Sequence, residues 1–136
     1  SIAVSAAAAN ASGGAATAAA LANGTTTTTN AAASLNSNNN NNNNATVQAL
    51  LRTCAAKYGS ARDALSAARE SIAARDYDFA SVHVSAAAEY PQVCKALFRR
   101  QRPGQYPAEL AAREEALSKL CAVASDIIAL VSNSSS

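Results

Sequence analysis

The 136-residue sequence has no tryptophan, no methionine and only two phenylalanines, so large apolar side chains are scarce. Its 49% hydrophobic content comes mainly from 37 alanines, each of which buries little area. A large multilayer enzyme core is therefore excluded, and one small domain is expected. Because alanine is the best helix former, the composition favours an all-helical domain.

Charge is absent from residues 1–51, and every acidic or basic side chain lies from Arg52 onward. The net charge of +2 is too small to indicate a nucleic-acid partner or an anionic membrane. No run reaches the roughly 20 apolar residues that a membrane span requires. The sequence has no methionine and no basic segment before an apolar run, which predicts a processed or truncated piece without a signal peptide.

Composition divides the chain into four segments. Residues 1–22 predict a weakly specified first helix, and residues 46–132 predict the helical core. Residues 23–45 contain threonine and asparagine runs that bury nothing able to offset their ordering entropy, so they predict a disordered linker. Residues 133–136 predict a disordered tail. The apolar stripe expected on the first helix comprises Ile2, Ala6, Ala9, Ala16, Ala20 and Leu21.

The clearest periodicity lies in residues 46–75, where an apolar side chain recurs every three or four positions. This pattern predicts a long helix packed in a bundle. A last helix is predicted from Pro107, with a similar seam that includes Ile127 and Val131. The seam of the long helix comprises Val47, Leu51, Cys54, Tyr58, Ala61, Leu65, Ala68 and Ile72.

Between them a third helix is predicted from Phe79 to Phe98, with Asp78 as its N-cap. A break is expected near Glu89–Tyr90, because Pro91 removes a backbone donor and biases its predecessor away from the helical region. Nothing in the sequence predicts a strand. Four helices with this patterning predict an antiparallel four-helix bundle.

The three cysteines leave one thiol over if a single bridge forms. Cys54 and Cys94 could meet across two antiparallel helices, while Cys121 lies within the last helix. Their gaps match no zinc spacing, so no metal and no cofactor are expected. His83 is the only histidine and has no partnered nucleophile, so no catalytic site is expected.

Asparagine sequons are consistent with secretion. The candidate glycosylation sites are Asn10, Asn23, Asn44 and Asn133, the last three in predicted loops or the tail.

Four segments of the sequence together carry a resemblance. They are Ala49-Leu50-Leu51-Arg52-Thr53-Cys54, Asp76-Tyr77, Val84-Ser85-Ala86-Ala87 leading to Cys94, and Leu120-Cys121-Ala122-Val123-Ala124. With them the sequence resembles the plant invertase/pectin methylesterase inhibitor family, on the side that inhibits pectin methylesterase. The resemblance covers residues 46–132 well and 1–22 loosely.

The resemblance implies an all-α four-helix bundle, which in the family follows a helical hairpin that has no counterpart in this sequence. It implies a disulfide between Cys54 and Cys94 and a free thiol at Cys121. It also implies a secreted inhibitor of the apoplast or cell wall, not an enzyme, that covers the pectin cleft of pectin methylesterase in a one-to-one complex.

Members that inhibit invertase present Pro-Lys-Phe before the third bundle helix, where this sequence has Tyr77-Asp78-Phe79. An acidic residue in place of the lysine reverses the local charge, which favours the methylesterase target over invertase. The partner-binding residues implied are Asp63, Asp76, Tyr77 and Phe79. The alternative is that Asp63 is an ordinary solvated helix residue and Asp76 an ordinary turn residue.

Three alternatives remain open: an invertase inhibitor, an inhibitor-like pro-region of a larger precursor, and a non-inhibitory helical remnant. The basic segment Arg99–Arg102 is interpreted as a solvated turn, with contact to an acidic pectin chain as the alternative. His83 is interpreted as a surface or bundle-edge residue, with a pH sensor in the acidic wall as the alternative.

Overall fold

The computed structural model describes residues 2–24 and 39–135, and within these ranges the chain is helical with no strand. This confirms the predicted all-α class. The four helices are α1 (Ile2–Ala22), α2 (Asn39–Ala73), α3 (Tyr77–Gln101) and α4 (Ala108–Ser135).

The predicted linker lies mostly outside the described residues. Its last part, residues 39–45, belongs to α2, so the prediction of a linker is wrong there. Once a helix is nucleated, each preceding residue adds a backbone hydrogen bond without needing a buried side chain. Composition alone therefore placed the start of α2 too late.

The helices run in alternating directions. One apolar cavity of about 370 Å³ at an end of the bundle brings together the beginnings of α1 and α3 and the ends of α2 and α4. α1 and α3 each pack against both α2 and α4. This is the predicted antiparallel four-helix bundle. The cavity is lined by Ile2, Ala3, Ile72, Tyr77, Ile127, Ile128 and Val131.

The seam of α2 faces the core as predicted. Six of its members are buried, and Val47 and Ile72 at its ends pack against the core while partly exposed. α3 buries a second seam at the same three- and four-residue intervals. Its members are Ala80, Val84, Ala87, Pro91, Cys94 and Phe98.

The stripe predicted for α1 is wrong. Ile2 is 91% exposed, and the helix buries a different face centred on Ala11. Alanine occurs on every side of α1, so its hydrophobicity is nearly uniform around the axis and gives no direction. The buried face comprises Val4, Ala7, Ala8, Ala11, Gly14, Ala18 and Ala22.

The predicted break at Glu89–Tyr90 is also wrong, because α3 continues through Pro91. Proline in a helix loses its own hydrogen bond to the carbonyl four residues earlier, here that of Ala87. The Pro91 ring is fully buried between the core helices, and this apolar burial offsets the lost bond.

Two expectations for α4 fail near its end. Ile127 and Val131 are 37% and 38% exposed, and the core positions are taken by Cys121 and Ile128 instead. The apolar side chains of this helix cover more than one face, so spacing did not decide which face is buried. The predicted disordered tail is helical through residue 135, and the Ser134 hydroxyl donates to the Leu130 carbonyl at 2.9 Å.

Candidate functional site

The turn between α2 and α3 is held by backbone hydrogen bonds. The Asp76 N–H donates to the Ser71 carbonyl at 2.7 Å and the Arg75 N–H to the Ile72 carbonyl at 2.9 Å. With Arg75 at a φ of 61°, this is a Schellman ending that has arginine where glycine is usual. The chain therefore reverses sharply and places the first turn of α3 at the end of the bundle.

Asp76, not the predicted Asp78, is the N-cap of α3. Its Oδ1 accepts a hydrogen bond from the Phe79 N–H at 3.3 Å. This satisfies one of the unpaired donors of the first turn. Asp78 lies one residue inside the helix and is exposed, so its carboxylate is available to a partner.

The two aromatic candidates at this turn face different surroundings. Tyr77 is half-buried and lines the apolar cavity at the end of the bundle. Phe79 is 60% exposed, and its ring stacks on His83 with centroids 6.5 Å apart. Phe79 is therefore the more accessible of the two.

An exposed apolar stripe runs along α3, a feature that sequence reasoning missed. Phe79, Val82 and Val93 are 60%, 61% and 42% exposed. Half-buried Ala86 and exposed Ala96 continue the same spacing of three and four residues. We call these five residues the α3 stripe. The signal was available as a second apolar repeat out of phase with the buried seam.

Asp63 lies apart from the other candidates. It is on α2, about 15 Å before the end of that helix at 1.5 Å per residue. Its carboxylate is 74% exposed and accepts from the neighbouring Arg62 guanidinium at 3.2 Å. The structure thus brings Asp76, Tyr77 and Phe79 together at one turn and leaves Asp63 on the adjoining helix.

A disulfide fixes α3 against α2. Cys54 and Cys94 are bonded, with their Cα atoms 5.0 Å apart, as the resemblance implied. The Lys57 ammonium lies 6.0 Å from the centre of the Tyr90 ring and adds a cation–π contact between the same helices. Both contacts hold the α3 stripe in a defined position relative to α2.

Cys121 is a free, buried cysteine. Burial raises the pKa of its thiol to about 11. At neutral pH it is protonated and behaves as a small apolar core group.

Tyr58 and Tyr106 form a polar cluster near the start of α4. The Tyr58 hydroxyl donates to the Leu110 carbonyl at 3.3 Å, and burial raises the pKa of Tyr58 to about 12. The Tyr106 hydroxyl donates to Glu114 at 3.2 Å, and Lys95 lies 3.8 Å from the same carboxylate. Burial raises the pKa of Tyr106 as well. These contacts join α2, α3 and α4.

The sequon asparagines differ in accessibility. Asn23 is exposed in the turn after α1. Asn44 and Asn133 are exposed but lie within α2 and α4 rather than in the predicted loop and tail. Asn10 is half-buried, and its Oδ1 is buried without a hydrogen-bond partner. Of these four asparagines, Asn23 alone lies outside a helix.

In the described part of the chain, no group of three or more His, Cys, Asp or Glu side chains could hold a metal ion. None of the helices in that part is both long and apolar enough to cross a bilayer.

Two curated proteins are similar to this chain. Pectinesterase inhibitor 28 of Oryza sativa subsp. japonica is 79% identical over 89 residues, which cover 65% of this chain and 39% of that protein. Cell wall / vacuolar inhibitor of fructosidase 2 of Arabidopsis thaliana is 40% identical over 79 residues, which cover 58% and 44%. The chain thus matches less than half the length of each relative. No solved structure matches.

The sequence profile described as plant invertase/pectin methylesterase inhibitor matches residues 1–127, which is nearly the whole chain and includes α1. The helical bundle, the Cys54–Cys94 bond and the two relatives agree with this match. The family is one of enzyme inhibitors and not of enzymes. This chain therefore belongs to the plant invertase/pectin methylesterase inhibitor family.

Proposed function

We propose that this chain inhibits a pectin methylesterase by binding the enzyme one-to-one over its pectin cleft. The observation that carries the proposal is the 79% identity to a pectinesterase inhibitor, about twice the identity to the fructosidase inhibitor. The aligned part of the pectinesterase inhibitor is only 39% of its length, so the whole activity of that relative is transferred here as a hypothesis.

The surface proposed for the enzyme is the α2–α3 turn together with the α3 stripe. Its exposed apolar side chains include Phe79 and Val82, which lie three residues apart on one face of α3 and are 60% and 61% exposed. The disulfide and the Asp76 cap hold this surface rigid before binding, so little ordering entropy is lost in the complex. Asp63 supplies an accessible carboxylate on the adjoining helix.

Invertase is the second candidate target, because one relative is an inhibitor of fructosidase. Asp78 argues against it. The side chain is exposed in the first turn of α3, where the invertase-binding members present a lysine. Placing a carboxylate in a site that accepts an ammonium group introduces repulsion and a desolvation penalty.

Secretion to the apoplast or cell wall is part of the proposal. A disulfide persists in an oxidising compartment, and Asn23, the acceptor residue of a sequon, is exposed in a turn. Mass spectrometry of the protein isolated from plant cell wall would show a glycan on Asn23 if this holds. Recovery of the protein only from the cytosol would contradict it.

A selectivity assay tests the proposed target. The purified chain is titrated separately into pectin methylesterase and into invertase, with pectin demethylation and sucrose hydrolysis as readouts. Loss of demethylation with invertase unaffected supports the proposal. Inhibition of invertase alone would show that invertase is the target instead. Inhibition of neither enzyme would support the alternatives of a pro-region or a non-inhibitory remnant.

A further inference from the structure

A second surface lies at the other end of α3 and is strongly basic. Between Glu89 and Glu109 the sequence holds four cations and no carboxylate, although the whole chain has a net charge of only +2. Arg99 and Arg100 lie in the last turn of α3, and Arg102 is its C-cap. We call Arg99, Arg100 and Arg102 the basic turn.

No acidic side chain described in the structure forms an ion pair with the basic turn. Lys95, the fourth cation of this segment, contacts Glu114 at 3.8 Å, and the same carboxylate accepts from Tyr106. None of the three arginines forms an ion pair with a described residue. The residues of α2 before Arg52 carry no charge that could compensate them. Glu109 lies in the first turn of α4 at the same end of the bundle but forms no ion pair with these arginines, so the local charge remains net positive.

The backbone of the basic turn is well defined. The Arg102 N–H donates to the Phe98 carbonyl at 2.7 Å, and the Gln105 N–H donates to the Arg102 carbonyl at 3.1 Å. Gly104, with a φ of 80°, allows the chain to turn there. The Arg102 Nε is buried without a hydrogen-bond partner, while Nη1 donates to the Gln101 carbonyl at 3.2 Å. The half-buried Arg102 side chain is thus held against the fold.

Stabilisation of α3 by the cations near its end does not explain why residues 90–108 contain no carboxylate. Cations in the last turn of a helix interact favourably with its C-terminal carbonyls, which accounts for Arg99 and Arg100. That interaction does not require carboxylates to be absent from all of residues 90–108. A binding surface for an anionic partner is favoured by it, since each nearby carboxylate would repel that partner.

We propose that the basic turn binds de-esterified pectin, a polyuronate with closely repeated carboxylates. Guanidinium groups suit this ligand because they are weakly hydrated and bind carboxylates through two parallel hydrogen bonds. The choice of a polyuronate over other polyanions rests on the proposed function, since pectin methylesterase releases these carboxylates. Arg99 lies one helical turn, about 5 Å, beyond Ala96, the last residue of the α3 stripe, so a polyuronate held by the basic turn would adjoin the edge of the proposed enzyme surface.

Polyuronate binding beside the proposed enzyme surface has a physical consequence. Attachment to a de-esterified stretch holds the inhibitor near the enzyme that produced it, and this raises the effective concentration of inhibitor at the cleft. Inhibition then becomes strongest where demethylation has already occurred. The basic turn thereby supplies product-dependent retention without any contact to the catalytic residues of the enzyme.

The test compares retention of the full chain on polygalacturonate and on highly methyl-esterified pectin by affinity electrophoresis. The wild type should be retained by polygalacturonate, and retention should weaken with added salt because exposed charges are screened. The variant Arg99→Gln/Arg100→Gln/Arg102→Gln should bind about tenfold more weakly, the sum of three surface ion pairs. The matched control Arg69→Gln/Arg75→Gln/Lys119→Gln removes the same charge from exposed positions elsewhere and should bind like the wild type.

Equal retention of the basic-turn variant and the wild type would overturn the proposal. So would equal retention on methyl-esterified pectin, or stronger binding to single-stranded DNA than to polygalacturonate. Far-UV circular dichroism verifies that each variant is folded. Polyuronate binding without inhibition of any pectin methylesterase contradicts the proposed function alone, whereas inhibition without polyuronate binding contradicts the basic-turn proposal alone.

Discussion

Tyr58 of α2 packs its ring directly onto the backbone of Gly14 in α1. A Cβ at position 14 would lie 2.3 Å from the Tyr58 Cδ1, which is closer than non-bonded carbon atoms approach. The same tyrosine is fully buried and reaches α4 through its hydroxyl. The absence of a side chain at Gly14 therefore allows the bulkiest core residue to fit between three helices.

Gly14→Ala is accordingly expected to destabilise the bundle by about 1–3 kcal/mol, because the Tyr58 ring or the α1 backbone must move. Urea unfolding followed by circular dichroism measures the change. Gly59→Ala is the matched control, since an added Cβ there meets only the end of Arg62, at 3.9 Å. That substitution should stabilise α2 by up to about 1 kcal/mol. Equal effects of the two substitutions would contradict the close contact.

Removal of the disulfide through Cys54→Ala/Cys94→Ala should lower the free energy of unfolding by about 4 kcal/mol, for a closed loop of 40 residues. A core of mostly alanine has little other stability to lose, so the effect should be large relative to the total. Urea unfolding with and without a reducing agent gives the measurement. Reduction should shift the wild type and leave the double variant unchanged, and an unshifted wild type would refute this role of the bond.

Stability should be constant from neutral pH to about 9 and should fall between about pH 9 and 12. Burial raises the pKa of Cys121 from 9.0 to about 11 and that of Tyr58 from 10.0 to about 12. Above pH 9 the unfolded chain ionises these groups before the folded chain does, so proton release favours unfolding. Unfolding midpoints measured across this range check that stability falls as the pH rises.

In Cys121→Ala the alkaline decline should begin about one pH unit later, near the ordinary pKa of tyrosine. A decline of the wild type that begins well below pH 8 would show that other groups dominate.

Arg75→Gly should stabilise the protein by up to about 1 kcal/mol. Arg75 has a φ of 61°, a left-handed conformation that costs a non-glycine residue about 1–2 kcal/mol. Arg69→Gly, at an exposed position inside α2, should instead destabilise by about 1 kcal/mol. Thermal unfolding of both variants tests whether the two substitutions change stability in opposite directions. Destabilisation by Arg75→Gly would contradict the Schellman ending described for α2.

The sequence predicted the buried face of α2 correctly because polar residues separate its apolar ones, so Leu51, Tyr58 and Leu65 mark a single face. It did not determine α1, where alanine on every side leaves the orientation to tertiary contacts such as that of Gly14 with Tyr58. The break predicted before Pro91 failed for a related reason. Local propensity predicts a break, whereas burial of the ring against the core is a long-range effect that spacing alone does not reveal.

The candidate site was predictable in part. The motif containing Asp76 and Phe79 located the turn, since its residues are adjacent in sequence. Asp76 and not Asp78 is the N-cap because of where the chain leaves α2. That point is set by Arg75 in its left-handed conformation, which the sequence does not reveal. Val82 was not identified, because an exposed apolar stripe is distinguished from a buried one only after the core face of α3 is known.

The most direct test of the account is a stoichiometric titration of pectin methylesterase with the wild type, Val82→Asp and Val123→Asp. Val82 lies in the α3 stripe and Val123 is a similarly exposed valine on α4, at 61% and 49% exposure. The account predicts complete inhibition at one inhibitor per enzyme, unchanged for Val123→Asp and weakened about tenfold or more for Val82→Asp, because a carboxylate would be buried unpaired in an apolar contact. An enzyme left fully active by the wild type, or equal inhibition by both variants, would contradict it.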